Sequence, residues 1–190
     1  MNELYPIFLK PENVRFTLIG GGKVGEEKLR FLLKSSPNAR VKVISKTFKK
    51  EFEALEIGEN VRLIKKKYEI SDLNHTDIVI AATNNHKTNL KIRAHAKALG
   101  KLINVADTPE LCDFYLGGIV SKGNVKIAIS TGGKSPTLAK RMREFLEEII
   151  PEDISSLSEN LNQIRKSLQG DFQDKVKKMN QITKDLIPKK

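Results

Sequence analysis

The sequence lacks several features that would assign it to particular classes of protein. Its single cysteine, Cys112, excludes an internal disulfide framework and fits a reducing compartment. No apolar run approaches the ~20 residues that a membrane-spanning helix needs. The Pro-containing start of the chain lacks the basic residues of a secretory signal. No His or Cys residues have the spacing of a metal site, so no stored metal is expected. These absences predict a cytoplasmic protein with no membrane partner.

Acidic residues are scarce relative to basic ones, since 34 Lys and Arg against 23 Asp and Glu give a formal charge of +11. Nucleic acid is the usual partner of such a balance. Here the basic residues are spread along the whole chain and no nucleic-acid motif accompanies them, so we predict no nucleic-acid partner. A polyanionic small molecule would be attracted by the same field. The hydrophobic content of 39% indicates a globular protein.

A glycine-rich turn near the start of the chain is the most informative stretch. The apolar run 16–19 predicts a strand, Gly20, Gly22 and Gly25 follow in the order G-x-G-x-x-G, and apolar residues at helical spacing come next. In this context the glycines form a tight turn, admit a pyrophosphate against bare backbone and pack the helix on the strand. The helix N-terminus offers free N–H groups and a positive dipole end. The stretch therefore predicts dinucleotide binding.

Strand and helix patterns alternate five times before the pattern changes. Further strands are predicted at 40–45, 61–67, 77–83 and 101–107, helices at 48–55 and 87–99, and a brief connection at 71–75. This alternation predicts an α/β fold with a Rossmann-like, doubly wound parallel sheet. A β-hairpin is predicted at 114–131, a helix up to residue 150, and a polar C-terminal helical region from 151 to 190. The predicted segments are thus 1–113, 114–150 and 151–190.

Polar residues follow three of the predicted strands at their carboxyl ends, where ligands bind in open α/β sheets. Thr83 and Asn84 follow the fourth strand. Lys46 and Thr47 follow the second, where an acid often binds the ribose 2′-hydroxyl. Lys46 would favour a 2′-phosphate or lie in solvent, so this position leaves NAD and NADP both open.

Asp107 ends the fifth predicted strand. A carboxylate there lies beside a bound nicotinamide, within reach of a substrate proton. The alternative is a cap or turn former before Pro109, and spacing alone does not separate the two.

The segment Thr131–Pro136 combines two glycines, a lysine and a predicted helix start. These features predict an anion-binding turn. They do not form a P-loop, because Ala128 stands where that motif needs its first glycine. An ordinary strand-to-helix turn is the alternative.

Together these stretches resemble the precorrin-2 dehydrogenase/sirohydrochlorin ferrochelatase family of sirohaem biosynthesis, including the N-terminal part of fused sirohaem synthases. The resemblance covers the chain up to about Leu146 and is carried by Leu4-Tyr-Pro-Ile-Phe-Leu9, Gly20-Gly-Gly-Lys-Val-Gly25, Ala81-Ala-Thr-Asn84, Asn104-Val-Ala-Asp107 and Ile129-Ser-Thr-Gly-Gly-Lys-Ser-Pro136.

The resemblance implies an NAD-dependent oxidation of precorrin-2 to sirohydrochlorin, followed in some members by insertion of ferrous iron at the same site. It implies that Asp107 is the catalytic aspartate and that Thr131 lines the tetrapyrrole site. It also implies a homodimer, so that 1–113 would bind NAD and 114–150 would serve dimerisation and substrate binding. The expected cofactor-binding residues are Gly20, Gly22, Lys23, Val24, Gly25, Lys46, Thr47, Thr83 and Asn84, and the expected substrate-binding residues are Thr131, Gly132, Gly133, Lys134 and Ser135.

A nucleotide-sensing regulatory module without catalysis is the alternative hypothesis. Such a module needs the glycine-rich turn but has no use for Asp107 or for the Thr131–Pro136 segment.

Overall fold

The computed structural model describes residues 2–53, 55 and 57–184, apart from the side chain of Glu53. The chain divides into two compact units. The first contains the residues up to Gly117 together with Ser130–Pro136, and the second contains Gly118–Ile129 and the residues from Thr137 onward. The three segments predicted from the sequence remain a prediction.

A five-stranded sheet forms the centre of the first unit. Its strands are β1 (Arg15–Ile19), β2 (Arg40–Ser45), β3 (Val61–Lys65), β4 (Ile78–Ala81) and β5 (Leu102–Val105). They lie in the order β3-β2-β1-β4-β5, and every neighbouring pair is parallel. The predicted Rossmann-like parallel sheet is therefore confirmed. This order places the carboxyl ends of all five strands along one edge of the sheet.

Helices cover the two faces of this sheet unequally. The helices α1 (Lys23–Ser35) and α2 (Lys50–Glu53) pack on one face, and α3 (His86–Ala98) packs on the other. On the first face Leu29 of α1 and Phe52 of α2 are almost fully buried against Leu18 and Val43. On the second face Ile92 of α3 is buried against Val79. Each such side chain contributes about 1.5–3 kcal/mol through burial.

Several predicted elements were too long. The strands predicted at 61–67, 77–83 and 101–107 end at Lys65, Ala81 and Val105, and the helix predicted at 48–55 is the single turn α2. Residues 71–75 were predicted as a brief connection, and this connection contains the 3₁₀ turn Ile70–Leu73, whose Leu73 is fully buried. The residues after β4 and β5 leave the sheet because they form the turns of the candidate site.

The second unit contains a hairpin and helices. Strands β6 (Gly118–Lys122) and β7 (Val125–Ile129) are antiparallel, and Gly123 makes their turn with φ of +50°. The predicted hairpin is confirmed, but it begins at Gly118 rather than at residue 114. The helices are α4 (Pro136–Ile149), α5 (Ile154–Ser167) and α6 (Phe172–Thr183). Among the described residues, no helix is both long enough and apolar enough to cross a membrane.

The hairpin turn is attached to α5. The N–H of Asn124 donates to Ser155 Oγ at 3.0 Å, and Lys122 forms an ion pair with Glu152 just before α5. At the start of α6 the side chain of Asp171 accepts a hydrogen bond from the N–H of Asp174 at 2.9 Å, which caps the helix.

Candidate dinucleotide site at the carboxyl edge of the sheet

The turn after β1 places glycines at positions with different steric demands. A Cβ on Gly20, whose φ is +133°, would lie 2.2 Å from the carbonyl oxygen of Ala82. A Cβ on Gly25 would lie 2.2 Å from the carbonyl oxygen of Gly20. At Gly22, by contrast, a Cβ would meet no atom within 4 Å. Gly20 and Gly25 therefore allow β1, β4 and α1 to pack closely, whereas Gly22 presents bare backbone to open space.

The start of α1 faces this open space with free donors. Gly22 is the cap residue, and the first helical bond runs from the N–H of Glu26 to the Gly22 carbonyl at 3.0 Å. The N–H groups of the first helical turn, from Lys23 and Val24 to Gly25, therefore have no carbonyl of their own helix to bond. Bare backbone, free N–H groups and the positive end of the helix dipole fit a dinucleotide pyrophosphate.

The connection after β2 is attached to the glycine turn. The N–H of Gly20 donates to the Ile44 carbonyl and the N–H of Lys49 donates to the Gly21 carbonyl, both at 2.9 Å. Lys46 and Thr47 lie exposed between these bonds. The position where a dinucleotide ribose is usually bound is therefore lined by lysine and threonine, with no carboxylate at positions 45–50.

A buried asparagine holds the residue that follows Ala82. Asn89 of α3, which is 5% exposed, accepts hydrogen bonds from the N–H and the hydroxyl of Thr83 at 3.2 and 2.6 Å. Its amide donates to the Thr83 carbonyl at 3.1 Å. Asn85 caps α3 by accepting from the N–H of Thr88 at 2.9 Å, and Asn84 is exposed at the edge. The structure thus fixes the backbone at Thr83 and Asn84, while their contact with a cofactor stays a prediction.

Asp107 occupies a left-handed turn directly after β5. Its φ is +58°, and the N–H of Thr108 closes the turn on the Val105 carbonyl at 3.3 Å. Thr108 takes the cap position of the 3₁₀ turn Pro109–Leu111. Asp107 is therefore not the cap, although its backbone is part of a turn. The side chain is exposed, and within the described residues its carboxylate has no hydrogen-bond or ion-pair partner.

The only cysteine of the sequence, Cys112, contacts the backbone on both sides of the Asp107 turn. Cys112 Sγ lies 3.2 Å from both the N–H and the carbonyl oxygen of Val105, and 3.4 Å from the Thr108 carbonyl. Burial raises the pKa of the Cys112 thiol. A neutral thiol in such bonds is a poor nucleophile. The role of Cys112 is therefore structural: it holds the backbone of Val105 and Thr108, which flank Asp107.

The predicted anion-binding segment is a closed turn. Gly132 and Gly133 have φ of +63° and +77°, and the N–H of Lys134 donates to the Thr131 carbonyl at 3.2 Å. The Thr131 hydroxyl accepts from the N–H of Ser135 and donates to the Ser135 carbonyl, both at 3.1 Å. Two successive left-handed residues explain the need for both glycines. The Thr131 hydroxyl therefore closes the turn, and its contact with a substrate stays a prediction.

Tyr115 lies between this turn and the Asp107 turn within the first unit. A Cβ on Gly133 would lie 4.0 Å from Tyr115 Cζ, and the Tyr115 hydroxyl is 3.5 Å from the Pro109 carbonyl. The side chain of Asn2 donates to the Ser130 carbonyl at 3.3 Å. Sequence reasoning missed Asn2, Asn89 and Tyr115. Asn2 bonds a residue 128 positions away, and Tyr115 lies near Gly133 only in the fold. Asn89 bonds Thr83 across six positions, but no motif marks it.

The described residues include no group of three or more His, Cys, Asp or Glu side chains that could hold a metal ion.

A parallel sheet of order β3-β2-β1-β4-β5, with an open glycine turn leading into α1, defines a Rossmann-like dinucleotide-binding protein. In agreement, a family model described as "Putative NAD(P)-binding" matches residues 7–118, which is more than half of the chain. The chain belongs to this NAD(P)-binding family. A second model, described as "Sirohaem biosynthesis protein central", matches residues 122–149.

The chain is also similar to curated sirohaem synthases. It is 34% identical to the siroheme synthase of Psychrobacter arcticus over 173 residues, which cover 91% of this chain and 30% of that protein. It is 34% identical to that of Vesicomyosocius okutanii over 177 residues, 93% of this chain and 36% of the relative. The chain therefore spans about a third of the length of these relatives.

Among solved structures, the fold is similar to that of "SirC, precorrin-2 dehydrogenase", with a TM-score of 0.75 and 24% identity. The match covers 94% of this chain and 89% of that one, so the likeness extends over the whole fold. The resemblance to sirohaem-biosynthesis proteins inferred from the sequence motifs is confirmed by these similarities.

Proposed function

We propose that this protein catalyses the NAD-dependent oxidation of precorrin-2 to sirohydrochlorin. The observation that carries the proposal is the exposed Asp107 carboxylate, held in a left-handed turn at the same sheet edge as the open glycine turn. The similarity to sirohaem synthases and the family match of residues 122–149 support the choice of a tetrapyrrole substrate.

The oxidation removes a hydride and a proton from the substrate. When bound at the glycine turn, NAD would supply the hydride acceptor. The protein supplies the base: the Asp107 carboxylate takes the proton, because it has no partner among the described residues and its backbone is fixed by the Val105–Thr108 turn. Gly22 and the first N–H groups of α1 would hold the pyrophosphate, and Lys46 and Thr47 would flank the ribose.

The substrate would be oriented through its carboxylates. Precorrin-2 carries several of them, and the closed turn Thr131–Ser135 offers glycine backbone, the exposed Lys134 and the start of α4. Tyr115 links this turn to Pro109, next to the Asp107 turn. A substrate bound there by a carboxylate would present its ring to Asp107.

Insertion of ferrous iron into the product is the second reaction proposed for this site. Iron enters as a substrate and displaces two pyrrole protons, and Asp107 would accept them in turn. The same residue then serves both steps.

The proposed assembly is a homodimer in the cytoplasm. Helix α4 carries apolar side chains on one face that are partly exposed, Met142 at 44%, Phe145 at 60% and Ile149 at 53%. Such a row is typical of a protein interface. The free Cys112 thiol fits a reducing compartment.

The test is incubation of the purified protein with NAD and precorrin-2, with NADH formation followed spectroscopically and sirohydrochlorin identified by mass. A mixture without precorrin-2 is the control. Stoichiometric formation of both products supports the proposal. Tight NADH binding with no turnover of precorrin-2 would contradict it and favour a nucleotide-sensing module. Adding ferrous iron to the completed reaction then tests for sirohaem.

A further inference from the structure

One face of the sheet is left open at the amino ends of β1, β2 and β3. In a doubly wound sheet, helices normally cover both faces. Here α1 and α2 cover one face of these strands, but the crossover from β3 to β4 contains only the 3₁₀ turn Ile70–Leu73. Leu73 of that turn packs near β4 with the second core cluster. The same face of β2 and β3 therefore lies open, at the edge opposite the glycine turn.

This open face carries cations in directly opposed pairs. In the parallel register Arg15 stands opposite Arg40, and Lys42 stands opposite Arg62. All four share one face, since the alternate residues, among them Phe16 and Val41, are buried in the first core cluster on the other side. Like charges directly opposite each other destabilise a sheet. The repulsion within these two neighbouring pairs destabilises the folded state, and a bound anion would reduce that repulsion.

Two of the four cations have internal partners and two do not. Arg15 forms a two-pronged salt bridge with Asp77 at 3.0 and 3.1 Å, and Lys42 Nζ donates to the Asp72 carbonyl at 2.6 Å. For Arg40 and Arg62, the described part of the chain offers no carboxylate within salt-bridge distance. Both side chains are exposed. Two guanidinium groups are thus available to a ligand at neighbouring strands.

A recess of about 480 Å³ joins these groups. The four cations line it together with the turns Glu59–Asn60 and Asn74–His75. Among the described residues, Glu59 is the one acid of its lining. This volume is in the range of small-molecule sites. The exposed residues of its lining carry charged, amide or imidazole groups, which favours a small polar ligand over a packed helix.

We propose that this recess is a binding site for a small polyanion with two or more phosphate or carboxylate groups, bridged by Arg40 and Arg62. Arginine recognises both kinds of group through paired hydrogen bonds. The site is separate from the dinucleotide site and does not depend on the proposed dehydrogenase activity.

The test is calorimetric titration with tripolyphosphate and, in a second arm, citrate, at fixed ionic strength and with saturating NADH to occupy the glycine turn. Three proteins are compared: the wild type, the double variant Arg40→Gln/Arg62→Gln, and the control Lys34→Gln/Lys91→Gln. The control removes the same two charges from exposed positions on α1 and α3. The arm that binds more tightly identifies phosphate or carboxylate as the preferred group.

We expect one saturable site in the wild type and in the control, and affinity at least ~10-fold weaker in Arg40→Gln/Arg62→Gln. Without anion, that variant should melt no earlier than the wild type, because it loses both like-charge pairs. The proposal is overturned by the absence of saturable binding, by equal weakening in the two double variants, or by a lower melting temperature of Arg40→Gln/Arg62→Gln.

Discussion

At the scale of single residues, Asp107 combines an unusual backbone conformation with a carboxylate that has no partner among the described residues. A left-handed conformation costs most L-residues roughly 1–2 kcal/mol, but Asp and Asn tolerate it best after glycine. We therefore predict that Asp107→Asn keeps the fold and the affinity for NADH, because asparagine suits the turn and the glycine turn is untouched. Turnover of precorrin-2 should fall by ~10²–10⁴-fold, the usual contribution of a general base.

The measurement combines NADH formation, NADH affinity and thermal melting on one preparation. Asp107→Ala is the matched variant, since it removes the base and also places a less tolerant residue at positive φ, so it should lose turnover and melt earlier. Wild-type turnover in a folded, NADH-binding Asp107→Asn would remove Asp107 from the mechanism.

Lys46 is the residue that bears on the choice between the two dinucleotides. It lies exposed at the end of β2, in a connection attached to Gly21 through the N–H of Lys49. A cation at this position attracts a 2′-phosphate, and an acid repels it. We predict that Lys46→Asp raises the ratio of the dissociation constants of NADPH and NADH by about 10-fold, the effect of losing one charge-assisted contact.

Fluorescence titration with the two reduced dinucleotides measures this ratio. Lys49→Asp makes the same charge change in the same connection and is the control. If both variants change the ratio equally, the effect comes from the changed net charge near the site, and Lys46 has no specific role.

At the scale of elements, the glycine turn separates packing from binding. A Cβ on Gly25 would meet the Gly20 carbonyl at 2.2 Å, whereas a Cβ on Gly22 would meet open space. We predict that Gly25→Ala lowers the free energy of unfolding by about 1–3 kcal/mol through overpacking. Gly22→Ala should cost less than ~1 kcal/mol, the scale of a weaker cap, yet weaken NADH binding at least ~10-fold by filling the pyrophosphate cradle.

Urea unfolding and NADH titration of both variants provide the comparison. A Gly22→Ala protein that binds NADH like the wild type would show that the pyrophosphate does not lie against this residue.

Local features of the turn could be predicted from the sequence, but long-range ones could not. The roles of Gly20, Gly22 and Gly25 depend on the strand and helix that flank them within a few residues. Their spacing in the sequence is therefore enough to predict the turn. Asn2 donates to the Ser130 carbonyl across 128 positions, and Tyr115 lies near Gly133, only because the chain returns. Nothing local marks them.

The strand ends show a different limit. The apolar pattern continues past Ala81 and Val105, but Asn89 captures Thr83 and the left-handed Asp107 turns the chain away. The open face of β1–β3 was not predicted either, because it results from the shortness of the β3–β4 crossover relative to the sheet it should cover.

At the scale of the whole molecule, one surface ion pair gives the folded state a pH dependence. The hydrogen bonds from Arg15 lower the pKa of Asp77 from 3.8 to about 2. A carboxylate whose pKa is lower in the folded state stabilises that state above its unfolded pKa and loses this effect as the pH falls toward its folded pKa. We predict that Asp77→Asn melts earlier than the wild type at neutral pH and that the difference disappears between about pH 4 and pH 2.

Melting curves of the two proteins across this range provide the measurement. A difference that stays constant with pH would show that Asp77 acts through its shape and hydrogen bonds rather than its charge.

The proposed dimer gives a prediction for the assembly. A charge in an apolar interface is costly, so Phe145→Glu should reduce the mass measured by light scattering from twice 21.4 kDa to 21.4 kDa. Lys140→Glu introduces the same side chain at an exposed position of α4 and should leave the mass unchanged. A monomeric wild type at micromolar concentration contradicts the proposed dimer.

The division of the chain into two units limits which of its functions a shortened gene could retain during evolution. The segment Ser130–Pro136 belongs to the first unit but is encoded between two parts of the second. A gene shortened after Gly117 would keep the whole parallel sheet and its glycine turn yet lose the Thr131–Ser135 turn with the hairpin. Dinucleotide binding can therefore pass alone to a descendant gene, whereas the turn proposed for the substrate can be kept only together with the hairpin that precedes it.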